Sequence, residues 1–175
     1  KLGTFLYFFL TKRRFNSSYL IRVHSTMILP LFQAFPRTGL IVGIDWGAAR
    51  TGVAVSDASR EFVFTRPAIA GGRDGTLPRA VADLASGERA VGIVIGLPLY
   101  SDGTESDTTS RVREFASALA QVTDLPICFI DESYSSITAQ AEMGRVRRAD
   151  IKQKLDSASA RVILENAIGL IHRAQ

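Results

Sequence analysis

Cysteine is almost missing from this chain. Cys128 is the single one in 175 residues, so an internal disulfide and a thiolate metal cluster are both excluded. It lies inside the apolar run Ile127-Cys128-Phe129-Ile130, which predicts a small buried side chain in a protein of a reducing compartment. Histidine is nearly as scarce, with only His24 and His172 near the two ends. A zinc site and a Ser–His relay therefore lack their donors. Long apolar runs are missing too. The stretch Leu2 to Leu10 falls far short of the ~20 residues that span a bilayer, and its basic residues Lys12-Arg13-Arg14 follow it, the reverse of a secretory signal.

Acidic residues are absent from residues 1–26, which carry Lys1, Lys12, Arg13, Arg14 and Arg22. Of the 21 basic residues in the chain, 16 are left for the remainder, against all 17 acids. The net charge of +4 thus belongs to the N-terminal segment. Beyond it the chain is close to neutral, so binding to nucleic acid through overall charge is not implied. Any such contact needs a local patch. Arg145, Arg147, Arg148, Lys152 and Lys154 supply one, although the same cluster also reads as a solvated loop between helices. The sequence reads well as a cytoplasmic protein starting at Met27, with residues 1–26 as a leader or upstream segment and residues 27–175 as one domain.

What is present is a pattern of strands and helices. Strands are expected at 40–45, 52–56, 61–67, 90–97 and 127–130, the third nearest an edge, and the fourth, Ala90 to Leu97, apolar throughout as if covered on both faces. Helices are expected around Leu77, Val81, Leu84 and Ala85, around Val112, Phe115, Ala116 and Leu119, at 135–143, and from Asp156 onward. Strands first and then alternating helices and strands predict an α/β domain of three layers, a mixed five-stranded sheet flanked by helices.

Several acids fall at the ends of elements. Asp45 closes the first strand beside glycines, Asp131 and Glu132 follow the fifth, and Asp156 stands where the last helix is expected to open. Brought together, such carboxylates repel one another, and a divalent cation relieves that repulsion. Oxygen donors alone suit Mg²⁺ or Mn²⁺. Two such ions ~4 Å apart can activate water and stabilise a leaving oxygen in phosphodiester cleavage. Each acid also has a plainer reading. Asp45 can close a turn, Asp131-Glu132 can introduce the next helix, and Asp156 can cap one. Asp57 and Asp102 read as loop acids without a catalytic role. Arg50 and Lys154 are candidate phosphate contacts.

The segment Gly43-Ile44-Asp45-Trp46-Gly47 with Thr51-Gly52-Val53-Ala54-Val55-Ser56-Asp57 resembles the first hairpin of the YqgF family. Gly96-Leu97-Pro98-Leu99 with Asp102-Gly103-Thr104-Glu105, then Asp131-Glu132, then Asp156-Ser157-Ala158-Ser159-Ala160 are similar to its later signatures, in the same order. The family is described as pre-16S rRNA nucleases and as Holliday junction resolvase-like. The resemblance implies a ribonuclease H-like fold, nucleic acid (pre-rRNA or branched DNA) as partner, Mg²⁺ or Mn²⁺ as cofactor, and catalytic acids among Asp45, Asp131, Glu132 and Asp156. It implies metal ligands at Asp45, at Asp131 or Glu132 with Glu132 preferred, and at Asp156. Two departures stand out. Ser133-Tyr134-Ser135-Ser136 replaces the family's usual Arg-Leu-Ser-Thr, and Trp46 stands where Tyr or Phe is usual. The competing classes are an ATP-hydrolysing fold of the sugar-kinase and actin type, which needs two such domains, and a non-catalytic RNA-binding assembly factor. A monomer or a homodimer is expected, the dimer only if junction resolution is the role, since that needs two symmetric sites; no membrane contact is expected.

Overall fold

The computed structural model describes residues 28–29, 32–71, 75–100, 102–131 and 148–173, with side chains from residue 158 onward in the last of these segments. Among the described residues six strands form one sheet: β1 (Ile28–Leu29), β2 (Ile41–Asp45), β3 (Arg50–Ser56), β4 (Val63–Ala70), β5 (Gly92–Leu97) and β6 (Ile127–Asp131). Their order across the sheet is β1-β6-β5-β2-β3-β4. The strands β1, β6, β5 and β2 run parallel, whereas β3 is antiparallel to β2 and β4 to β3. The α/β architecture is the expected one, with the two-residue β1 added to the five anticipated strands. The strand anticipated at 61–67 is the edge strand β4. It tolerates Pro67 because the register with β3 shifts between Thr51 and Val53, and a proline without an N–H fits an edge or a bulge.

Among the described residues three α-helices flank the sheet: α1 (Leu77–Gly87), α2 (Asp107–Leu119) and α3 (Arg148–Arg173). Strand alternation divides the core in two. Val42, Ile44, Val53, Val55, Ile93 and Ile95 pack with α1 and α2. Ile41, Ala54, Val94, Cys128 and Ile130 pack on the other face against Ala160, Ile163, Leu164 and Ala167 of α3. Covered on both sides, β5 is buried at every position, which is why its sequence does not alternate. Helix α2 opens with a capping box in which Ser106 and Thr109 exchange side-chain and backbone hydrogen bonds.

Helix α3 departs from expectation. It begins at Arg148, so Asp156 lies well inside it. An N-cap residue flanks a helix and has non-helical backbone, so the capping reading of Asp156 is withdrawn. The basic cluster is corrected in the same way. Arg148, Lys152 and Lys154 belong to the first turns of α3 rather than to a loop, while Arg145 and Arg147 lie outside the described residues, as do Glu132 and the helix expected at 135–143. Among the described residues no helix is long and apolar enough to cross a membrane.

Candidate active site

Parallel strands deliver their C-terminal ends to one edge of the sheet, the usual place for a site in such folds. Here that edge is formed by β2, β5 and β6. Asp45 is the last residue of β2 and Asp131 the last of β6. Strand β5 alone separates them, so the two backbones stand about 10 Å apart, two inter-strand spacings. The register pairs Ile44 with Ile95, Gly96 with Ile130 and Leu97 with Asp131, which brings both acids to nearly the same level. Both are half-buried, and each takes part in a polar or charge interaction.

The two acids leave the sheet on different faces. Asp45 alternates with Ile44, which packs toward α1 and α2, so it shares the α3 face with Ile41 and Gly43. Asp131 alternates with Ile130, which packs toward α3, so it shares the α1–α2 face with Ile127 and Phe129.

Gly43 lets α3 approach Asp45's strand. A Cβ on Gly43 would lie 2.7 Å from the Leu164 Cβ and 3.1 Å from the Ala160 carbonyl oxygen. Asp156 is one turn before Ala160 in the row Asp156–Ala160–Leu164. The helix that carries the third acid is therefore pressed against the strand that carries the first.

The segment after β5 walls this edge. The Thr109 hydroxyl donates to the Pro98 carbonyl and accepts from the Ser106 N–H. Leu99 and Glu105 form an isolated antiparallel bridge. Asp102 accepts from the Thr104 N–H at 2.9 Å and from its hydroxyl at 2.6 Å, and these bonds hold its carboxyl below the ordinary range. Glu105 pairs with Arg113 at 2.6 Å, and the Arg113 guanidinium lies 5.3 Å from the centre of the Phe129 ring. Asp57 is likewise a turn acid. It accepts from the Ser59 and Phe62 N–H groups and from the Ser59 hydroxyl, which lower its pKa. The sequence singled out neither Thr109 nor Arg113; the spacing Ser106-x-x-Thr109 before an apolar periodicity was the available signal for the first.

Arg50 opens β3 and is exposed at the same end of the sheet as Asp45. The softer donors lie elsewhere. Cys128 is buried in the core, where burial pushes its thiol up to about 11, and His172 sits in the last turn of α3. The edge thus offers hard oxygen donors, the set that suits Mg²⁺ or Mn²⁺. Among the described residues no three acids, histidines or cysteines are assembled to hold an ion.

The fold is that of the ribonuclease H-like resolvases. Its three-layer arrangement matches the RuvC of T. thermophilus in complex with a Holliday junction substrate, with a TM-score of 0.51 at 11% identity, over 74% of this chain and 93% of that one. Residues 39–169 match the family model described as "RuvX: Holliday junction resolvase", and the chain belongs to this family of nucleases. It is 35% identical over 138 residues to a "Putative pre-16S rRNA nuclease" of Rhodopirellula baltica, covering 75% of this chain and 78% of that one. A protein of the same name from Maridesulfovibrio salexigens is 38% identical over 127 residues, covering 71% and 94%.

Proposed function

We propose that this chain is a divalent-metal-dependent nuclease that hydrolyses phosphodiester bonds in structured RNA, trimming the 5′ end of pre-16S rRNA in the cytoplasm during ribosome biogenesis. The observation that carries the reading is Asp45: a half-buried carboxylate at the C-terminal end of β2, one strand away from the β6 end and under the helix that bears Asp156. The names of the relatives support the RNA substrate.

In this reading Asp45, Glu132 and Asp156 hold Mg²⁺ or Mn²⁺, with Asp131 at the same edge of the sheet but on its other face. When bound, the cation neutralises the clustered carboxylates and polarises the scissile phosphate. Asp45 contributes position, because its backbone is paired with Gly52 of β3 and directly follows Ile44, which is paired with Ile95 of β5. The wall at 98–100 and 102–106 limits where a sugar–phosphate chain can lie. Arg50 contacts a phosphate at the rim. Arg145, Arg147, Arg148, Lys152 and Lys154 form the patch that the nearly neutral domain needs for a polyanion. Arg148 stands in the first turn of α3, where the helix dipole disfavours positive charge; a bound phosphate offsets that cost.

Replacing Asp45 by Asn removes the charge and keeps the shape. Asp45→Asn is expected to abolish Mg²⁺- or Mn²⁺-dependent cleavage of a precursor RNA while the thermal midpoint changes little. Cleavage at the wild-type rate refutes the assignment, and binding without cleavage by the wild-type protein favours a non-catalytic assembly factor. The family description favours branched DNA as the rival substrate. Assaying a four-way junction in parallel decides between them, and junction resolution also requires a homodimer with two symmetric sites.

A further inference from the structure

Trp46 is the single tryptophan of the chain, and it directly follows Asp45. Its indole is half-buried and packs against the core formed with α1 and α2. A side chain needed only to fill that core could be aliphatic. An indole brings an N–H that ordinarily finds a partner when buried. Here the N–H is not a buried orphan, and it has no hydrogen-bond partner among the described residues. The N–H edge of the ring therefore reaches solvent at the end of β2.

The turn that presents it is tightly closed. A Cβ at Gly47 would stand 2.4 Å from the Arg50 carbonyl oxygen, so the backbone between Trp46 and Arg50 doubles back in close contact. Arg50 is exposed and makes no ion pair among the described residues. Five consecutive residues thus offer an aromatic surface and a guanidinium beside the carboxylate Asp45. Aromatic surfaces next to cations are how proteins grip unpaired nucleotides, because every base has a π-face and every nucleotide a phosphate. A base inside a duplex already has both faces stacked and is closed to such contact.

We propose that Trp46 is a base-stacking, specificity-determining residue: its half-buried ring takes one unpaired base next to the scissile phosphate while Arg50 holds that nucleotide's phosphate. The proposal rests on the nuclease reading and narrows it to substrates with an unpaired nucleotide at the cleavage point. A phosphate drawn to the Asp45 edge and a base laid on Trp46 lie on either side of the end of β2, as one nucleotide's two halves would.

A solitary tryptophan makes the test direct. In the Asp45→Asn background, which keeps the RNA intact, binding of a short fluorescein-labelled single-stranded RNA is followed by anisotropy and by tryptophan emission, with the same sequence as a blunt duplex for comparison. Single-strand binding is expected to quench the emission with the same midpoint as the anisotropy change. Trp46→Leu is expected to weaken single-strand binding about tenfold and duplex binding less than about twofold, and Trp46→Phe to restore most of the loss. Should the Leu variant fail to fold, the emission readout and the Phe variant decide. Single-strand binding with unchanged emission, or equal losses on both RNAs, overturns the proposal and leaves the nuclease reading standing. Absence of binding to either RNA sinks both.

Discussion

Arg60 has an unusual burden for a side chain that is 4% exposed. It stands in the left-handed region at φ 62°, donates to the Gly39 carbonyl at 2.9 Å and to the Pro36 carbonyl at 2.8 Å, and leaves its Nη1 buried without a partner. Burial lowers its pKa, as expected of a charge removed from water. What it gains is a clasp that ties the β3–β4 turn to the segment leading into β2, the strand that ends in Asp45. Arg60→Ala should therefore cost about 2–3 kcal/mol, the loss of two charge-assisted hydrogen bonds in a buried setting. Chemical denaturation of the purified variant checks this, and a change within about 0.5 kcal/mol contradicts the clasp. Nothing in the sequence marked Arg60. Its role depends on carbonyls more than twenty positions away, and an arginine in a turn ordinarily reads as solvated.

At the scale of elements, the close approach of α3 to β2 is the contact that matters most for the site. Gly43→Ala puts a methyl 2.7 Å from the Leu164 Cβ and 3.1 Å from the Ala160 carbonyl. Neither neighbour is the end of a flexible chain, so the helix must move. A loss of about 1–3 kcal/mol follows from overpacking, together with weakened cleavage, since α3 carries Asp156. Thermal unfolding and the cleavage assay measured on one preparation test the pair of effects; an unperturbed midpoint means that the helix accommodates the methyl. The elements themselves were unevenly legible. Helices α1 and α2 show in the sequence because their apolar residues recur on one face and are buried there, as Val81, Ala85, Val112, Phe115 and Leu119 are. The start of α3 does not show: Arg148 to Lys154 has no apolar stripe, and Asp156-Ser157 imitates a capping signal. The two-residue β1 is too short for any periodicity.

The whole molecule determines which distant acids share an edge. That Asp45 ends a strand is visible in sequence, because glycines and the apolar run frame it. That β5 lies between β2 and β6, and sends Asp45 and Asp131 to opposite faces, is a property of strand order and register that spacing along the chain does not encode. Charge is also read at this scale. The domain after residue 26 is nearly neutral, so affinity for a polyanion must come from a few cations rather than from the global field. Replacing Lys152 and Lys154 together by Gln should lower the slope of log affinity against log salt by about 1–2, given ~0.7–0.9 per phosphate contact. Fluorescence anisotropy across a salt series measures it. An unchanged slope places the contacts elsewhere.

Metal-dependent cleavage of this kind requires acids from separate elements to meet and hold hard cations at the end of β2. Anomalous scattering from crystals soaked in Mn²⁺ tests it most directly. The expected result is a manganese peak within coordination distance of an Asp45 carboxylate oxygen, with oxygen ligands from Glu132 and Asp156, and its loss in crystals of Asp45→Asn. A Mn²⁺-soaked crystal with an accessible, empty edge at Asp45, or with ions only at other surface acids, contradicts the account.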